Sequence, residues 1–184
     1  MAHGGQVPLF GREWRSHRLE HGGALRRSKR KIARPISPRR AHHVVFCSSR
    51  ARGPWSLRNR AHQQDVEQIV RAAARRHGVR IYRFANAGTH LHLLARPGSR
   101  AAFQAFLRVA GGLVARRVTG ARKGRKVGRF WDDVVYSRVV AWGRDFAAVR
   151  AYVELNVEEA MGLRPYRRPT SVPAEARGPG PDPP

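Results

Sequence analysis

The chain has 184 residues, 41% of them hydrophobic, enough for one domain with a packed core but no second one. Its 37 Lys and Arg against 12 Asp and Glu leave a formal net charge of +25, which opposes compaction unless a polyanion shares the surface. One cysteine, Cys47, excludes an internal disulfide, and no segment approaches the roughly 20 apolar residues of a spanning helix, nor does the N-terminus carry a signal-peptide core. The expectation is a cytoplasmic protein that acts at the nucleoid, with nucleic acid as partner and no membrane.

Taken in chain order, residues 1–40 are rich in Gly, His and Arg and read as a basic, disordered arm. His42 to Ser48 is β-rich and predicts a first strand. Asn59 is placed to cap a helix running to His77, with Val66, Ile69, Val70 and Ala73 at helical spacing and Gly78 as the stop. Val79 to Ala85 predicts a second strand, Asn86-Ala87-Gly88 a turn, and His90 to Ala95 a third strand. Ser99 opens a second helix with Phe103, Phe106, Leu107, Ala110, Leu113 and Val114 in line, weakened by Gly111 and Gly112. After a basic loop from Gly120 to Arg129, Phe130 to Ala141 predicts a fourth strand and Arg144 to Ala160 a last helix, striped by Phe146, Val149, Val153 and Val157. Residues 164–184, ending in repeated prolines, read as a disordered tail, so the globular domain spans 41–163.

The order is β-α-β-β-α-β-α. Its first six elements match a ferredoxin-like α+β sheet with both helices on one face. The last helix is then free to cover the other face, and the first and third strands become central neighbours.

The positive charge belongs to the globular part. No Asp or Glu occurs between Glu67 and Asp132, and the loop residues Arg122, Lys123, Arg125, Lys126 and Arg129 would repel one another without a polyanion. They are read, with Arg138, as phosphate contacts.

Chemistry centres on His90-Leu91-His92. In a strand the two imidazoles share a face while Leu91 and Leu93 point to the core, so one rigid element offers a metal two nitrogen ligands. Tyr152 and Asn156 stand at i and i+4 on one flank of the last helix, where they can face the histidines. An ion held by two imidazoles and an amide oxygen keeps positions for a phosphate oxygen, and a phenol beside it can attack phosphorus. The product is a phosphotyrosine link and a free 3′-hydroxyl. Tyr136 is a competing hydroxyl but lacks a ligand partner at helical spacing. His42 and His43 sit on a strand adjacent to the histidine pair, where one could orient a ligand.

His90-Leu91-His92-Leu93-Leu94, the run Gly128-Arg129-Phe130-Trp131 with Tyr136-Ser137-Arg138, and Tyr152-Val153-Glu154-Leu155-Asn156 together resemble the single-tyrosine HUH (histidine–hydrophobic–histidine) transposases. Among these the likeness is greatest to the REP-associated tyrosine transposases, in the IS200-like superfamily. It covers roughly residues 41 to 163. The resemblance implies a DNA transposase that cleaves and rejoins single-stranded, hairpin-containing DNA through a 5′-phosphotyrosine intermediate. It implies His90, His92 and Asn156 as ligands of Mg2+ or Mn2+, Tyr152 as nucleophile, and a monomer or homodimer. The chain departs from the pattern at Gly88-Thr89, where Pro-Asn is usual, at Val157 in place of proline, and at Asp132-Asp133. Two other readings stay open: a non-catalytic, domesticated hairpin-binding protein, and an HUH replication or transfer nickase.

Overall fold

The computed structural model describes residues 19–23 and 33–163. Five strands, β1 (Glu20–His21), β2 (Ala41–Cys47), β3 (Val79–Asn86), β4 (His90–Pro97) and β5 (Tyr136–Val140), form one antiparallel sheet in the order β1-β5-β2-β4-β3. Without β1 this is the expected ferredoxin-like arrangement, with β2 and β4 side by side at its centre. Helices α1 (Gln63–Arg76), α2 (Arg100–Thr119) and α3 (Arg144–Ala160) complete the fold.

Strand alternation divides the core in two. Val44, Phe46, Leu91 and Leu93 point to the face covered by α1 and α2, where Val66, Val70, Phe103, Phe106 and Ala110 meet them. Ala41, Leu94, Ala85 and Val140 point the other way and pack under Val149 and Val153 of α3. Burial on both faces explains why β2 and β4 read as nearly continuous apolar runs.

Local chemistry sets the helix limits. Ser99 caps α2 by accepting from the Ala102 amide at 3.1 Å, and Gly120, at φ 67°, closes it with its N–H on the Arg116 carbonyl. The expected cap at Asn59 is corrected. Its side chain accepts from the Ala61 amide at 2.9 Å and closes a turn, so α1 starts only at Gln63, after the buried His62.

The fourth strand is also shorter than expected. Phe130 to Val135 leaves the sheet because other partners take its polar groups: Ser48 Oγ donates to the Phe130 carbonyl, the Asp132 amide to Cys47, and the Trp131 indole to the Gly111 carbonyl.

Order reaches further toward the N-terminus than residue 41. Glu20 and His21 pair with Arg138 and Ser137 at the sheet edge. The buried Arg34 guanidinium donates to the Val135 carbonyl at 2.7 Å and to Ser137 Oγ. The other parts of the expected arm, 1–18 and 24–32, and the tail 164–184 lie outside the described residues.

Candidate active site

The face under α3 carries the titratable groups. Register pairs Val45 with His92 and Cys47 with His90, so His43, Cys47, His90 and His92 all project toward α3. The His90 and His92 rings are stacked at 6.0 Å, and His92 is stacked at 5.8 Å on His43, at an interplanar angle of 14°. From above, the Tyr152 ring meets both inner imidazoles edge-on, 5.8 Å from His92 and 5.7 Å from His43. The last helix thus brings its tyrosine to the histidine pair.

Asn156, one turn on, donates its amide nitrogen to the Tyr152 carbonyl at 2.7 Å, so the oxygen is the end of the side chain suited to a cation.

Burial keeps these imidazoles neutral. His43 and His92 are each only 4% exposed. Desolvation lowers the His43 pKa to about 3, with Arg138 adding and Asp145 opposing. It also carries His92 well below the ordinary value, helped by His43 and His90, and lowers His90 against the opposing pull of Asp132. Neutral imidazole is the form that binds a metal.

His92 Nδ1 and His43 Nε2 are buried without a hydrogen-bond partner. At His90, by contrast, Nδ1 meets Thr89 Oγ1 at 2.8 Å and Nε2 meets Cys47 Sγ at 3.0 Å. Among the described residues, no three or more His, Cys, Asp and Glu side chains are grouped to hold a metal ion. Two imidazoles plus an amide oxygen are a different donor set, in which the amide oxygen is the donor best suited to Mg2+ or Mn2+ and the imidazoles are donors shared with softer divalent metals. The orphaned Nδ1 of His92 is the observation that fits a cation there.

Tyr136 reaches the same site from β5, its ring 6.1 Å from His43. Burial, then the Glu20 carboxylate on its hydroxyl, raises its pKa well above the ordinary phenol range, which disfavours the phenolate an attacking group needs.

The basic loop lies elsewhere. Arg122, Lys123, Arg125, Lys126 and Arg129 rim a groove of about 1340 Å³ between α2 and the segment that precedes β5, on the α1/α2 side of the sheet. All five are exposed, and none forms an ion pair with a described carboxylate. Arg138 is separate from them and is corrected as a phosphate contact. It is 11% exposed and its guanidinium makes two hydrogen bonds to Asp145, at 2.8 and 3.2 Å.

His43, one of the two strand histidines considered for orienting a ligand, lies in the centre of the site, against His92 and Tyr152. Two participants were not singled out for the site from sequence: Cys47, which touches His90, and Asp132, which joins Cys47 at 3.5 Å while accepting from the Ser49 amide and hydroxyl. A His-x-x-x-Cys step along one strand puts both side chains on one face, which was the available signal.

A ferredoxin-like sheet with a histidine pair beneath a tyrosine-bearing helix is the class that fold and site define. The profile of the family described as "Transposase IS200 like" matches residues 38–156. The chain belongs to that family of transposases. A crystal structure of a candidate transposase from Deinococcus radiodurans R1 is similar at 16% identity and a TM-score of 0.42, over 69% of this chain and 97% of that one. No curated protein matches the chain. Among the described residues, no helix is long and apolar enough to cross a membrane.

Proposed function

We propose that the chain is a metal-dependent tyrosine transposase of the REP-associated kind, which cleaves and rejoins single-stranded, hairpin-containing DNA. The observation that carries the reading is the Tyr152 ring seated edge-on upon His92 and His43, with Asn156 one turn beyond it.

Tyr152 Oη attacks the scissile phosphorus and the bond from phosphorus to the 3′-oxygen breaks. The phenol gives up its proton as the new ester forms and the departing oxygen takes one up to become a 3′-hydroxyl, so no proton is gained overall, and the 5′-phosphate remains esterified to Tyr152. Attack by a 3′-hydroxyl on that ester reverses the exchange and rejoins a strand. One phosphodiester is lost for each formed, so no nucleotide cofactor is required. His90, His92 and Asn156 would hold Mg2+ or Mn2+, which supplies Lewis-acid polarisation of a phosphate oxygen when bound. His43, packed against both His92 and Tyr152, fixes the phenol relative to the imidazoles. Tyr136 stays protonated, so its hydroxyl can hydrogen-bond but does not compete as nucleophile. The groove lined by Arg122, Lys123, Arg125, Lys126 and Arg129 takes the phosphate backbone.

The test is incubation with end-labelled hairpin single strands and Mn2+, followed by denaturing electrophoresis. A protein–DNA adduct is expected from the native chain, and none from Tyr152→Phe, which still binds the hairpin. Tight binding without an adduct in Mg2+ or Mn2+ would instead assign the chain as a non-catalytic hairpin binder.

A further inference from the structure

The β3 strand carries a bulge that the chemistry above does not use. Ile81 pairs with Ala95 and Arg83 with Leu94, so Tyr82 has no partner across the ladder. The irregularity turns two consecutive side chains, Tyr82 and Arg83, to the α3 side of the sheet. Tyr82 there meets Phe146 at 5.3 Å and Trp142 at 5.9 Å, both edge-on, and Trp142 lies 4.9 Å from Phe146.

Trp142 is 48% exposed, although its indole N–H is tied to the Arg39 carbonyl at 2.9 Å. The ring is therefore held in place while much of its surface stays open. The guanidinium of Arg80 lies 5.3 Å over the Tyr82 ring. Arg39, whose carbonyl holds the indole, and Arg144, two residues after Trp142, are also exposed, and none of these three arginines pairs with a described carboxylate. Glu154, the acid nearest in sequence on the exposed side of α3, is taken by Arg83 and Arg150.

A fixed aromatic surface beside exposed arginines that pair with no described carboxylate suits a polyanion that offers π faces of its own. Single-stranded nucleic acid is such a ligand, whereas a duplex hides its base faces in the stack. We propose that Trp142, backed by Phe146 and Tyr82, is a stacking platform for an unpaired base of the strand that leads to Tyr152. This rests on the reading of the chain as an enzyme of single-stranded DNA. Phe146 and Tyr152 are six residues apart on α3, about 9 Å along its axis. Trp142 lies beyond Phe146, 4.9 Å from its ring, so at roughly 3.4 Å per stacked nucleotide the platform would take a base a few nucleotides from the scissile phosphate.

Fluorescence anisotropy tests the platform without cleavage, so a failure of stacking at Trp142 and a failure of adduct formation at Tyr152 are separate results. The probe is fluorescein-labelled oligothymidylate of roughly a dozen nucleotides, with a duplex of equal length as control. Trp142→Ala in the full chain is expected to weaken single-strand binding roughly tenfold and leave duplex binding unchanged. The slope of affinity against salt should also stay unchanged, because no phosphate contact is removed. Trp142→Phe should restore most of the loss. If Trp142→Ala melts early, Trp142→Leu carries the same test, since it keeps apolar contact with Phe146 but has no π face. Native single-strand affinity in these variants, an equal loss for duplex, or a reduced salt slope would overturn the proposal. So would a native dimer that becomes monomeric in Trp142→Ala with single-strand affinity intact, which would assign the patch to a second copy of the chain.

Discussion

Gly111 and Gly112 sit side by side in α2, where each glycine disfavours the helix by about 1 kcal/mol relative to alanine, yet only one has a packing reason. A Cβ on Gly111 would lie 3.2 Å from Phe46 and 3.4 Å from the Trp131 indole nitrogen, whereas one on Gly112 would meet nothing within 4 Å. Phe46 is fully buried and cannot retreat, and the Trp131 indole is bonded to the Gly111 carbonyl. Thermal unfolding should therefore show Gly112→Ala stabilised by about 0.5–1 kcal/mol and Gly111→Ala destabilised by about 1–3 kcal/mol. If both gain stability, Gly111 has no role in seating the groove wall. The sequence marks both positions as weak points in a helix but does not separate them, because the difference comes from a side chain on β2 and another near β5. His43 is a similar case. Its place at the start of a strand is legible, but its seat between His92 and Tyr152 depends on cross-strand register and on the docking of α3. No local pattern states either one.

At the scale of elements, the position of α3 decides whether Tyr152 meets the histidines. The buried pair Arg138–Asp145 ties that helix to the sheet, with side chains 11% and 6% exposed, and Asp145 also accepts from the Ala141 amide at 2.9 Å. Removing the carboxylate takes two hydrogen bonds and the opposite charge from a buried guanidinium, so Asp145→Ala should cost about 3–5 kcal/mol of stability in urea unfolding. Adduct formation should then fall more steeply than hairpin binding, because the helix carries the nucleophile and the groove lies on the other side of the sheet. Equal losses would mean that the pair supports the fold as a whole and not α3 in particular. The helix α3, Arg144–Ala160, was legible because the apolar stripe of Phe146, Val149, Val153 and Val157 defines it locally. Arg138 was misread for the opposite reason: basic residues look alike in sequence, and only the approach of Asp145 distinguishes an anchor from a phosphate contact. The two-residue β1 carries too little pattern to be recognised, and its pairing is made by backbone groups of β5. Tertiary bonds to Ser48, Cys47 and Gly111 likewise shorten β5, against the strand preference of its leading residues.

For the whole molecule, two features converge on acid sensitivity. One is the +25 net charge, which any further protonation increases. The other is the set of imidazoles buried on both faces of the sheet. His42, fully buried against Phe103 on the α1/α2 side, is held down to about 4 by desolvation, and Arg34 lowers it further. His43 lies near 3, and His92 well below its ordinary value, on the α3 side. In the unfolded chain each histidine titrates near 6.5. Above that value both states are neutral and these groups add no pH dependence. Below it the unfolded chain binds protons that the folded chain refuses, so the free energy of unfolding falls with pH. The loss approaches about 1.4 kcal/mol per unit for each group and ends only at its folded pKa, which makes about 3 kcal/mol for His42 alone. Three such groups falling together between pH 6.5 and 5 remove several kcal/mol, a large share of the stability of a domain this size. The urea midpoint should accordingly be flat above pH 7 and fall continuously toward pH 5. In His42→Phe, which keeps a ring beside Phe103, the slope should diminish by about one proton. A native chain whose midpoint holds steady from pH 7 to 5 would show that these imidazoles take up protons in place, and that the histidine layer is open to water.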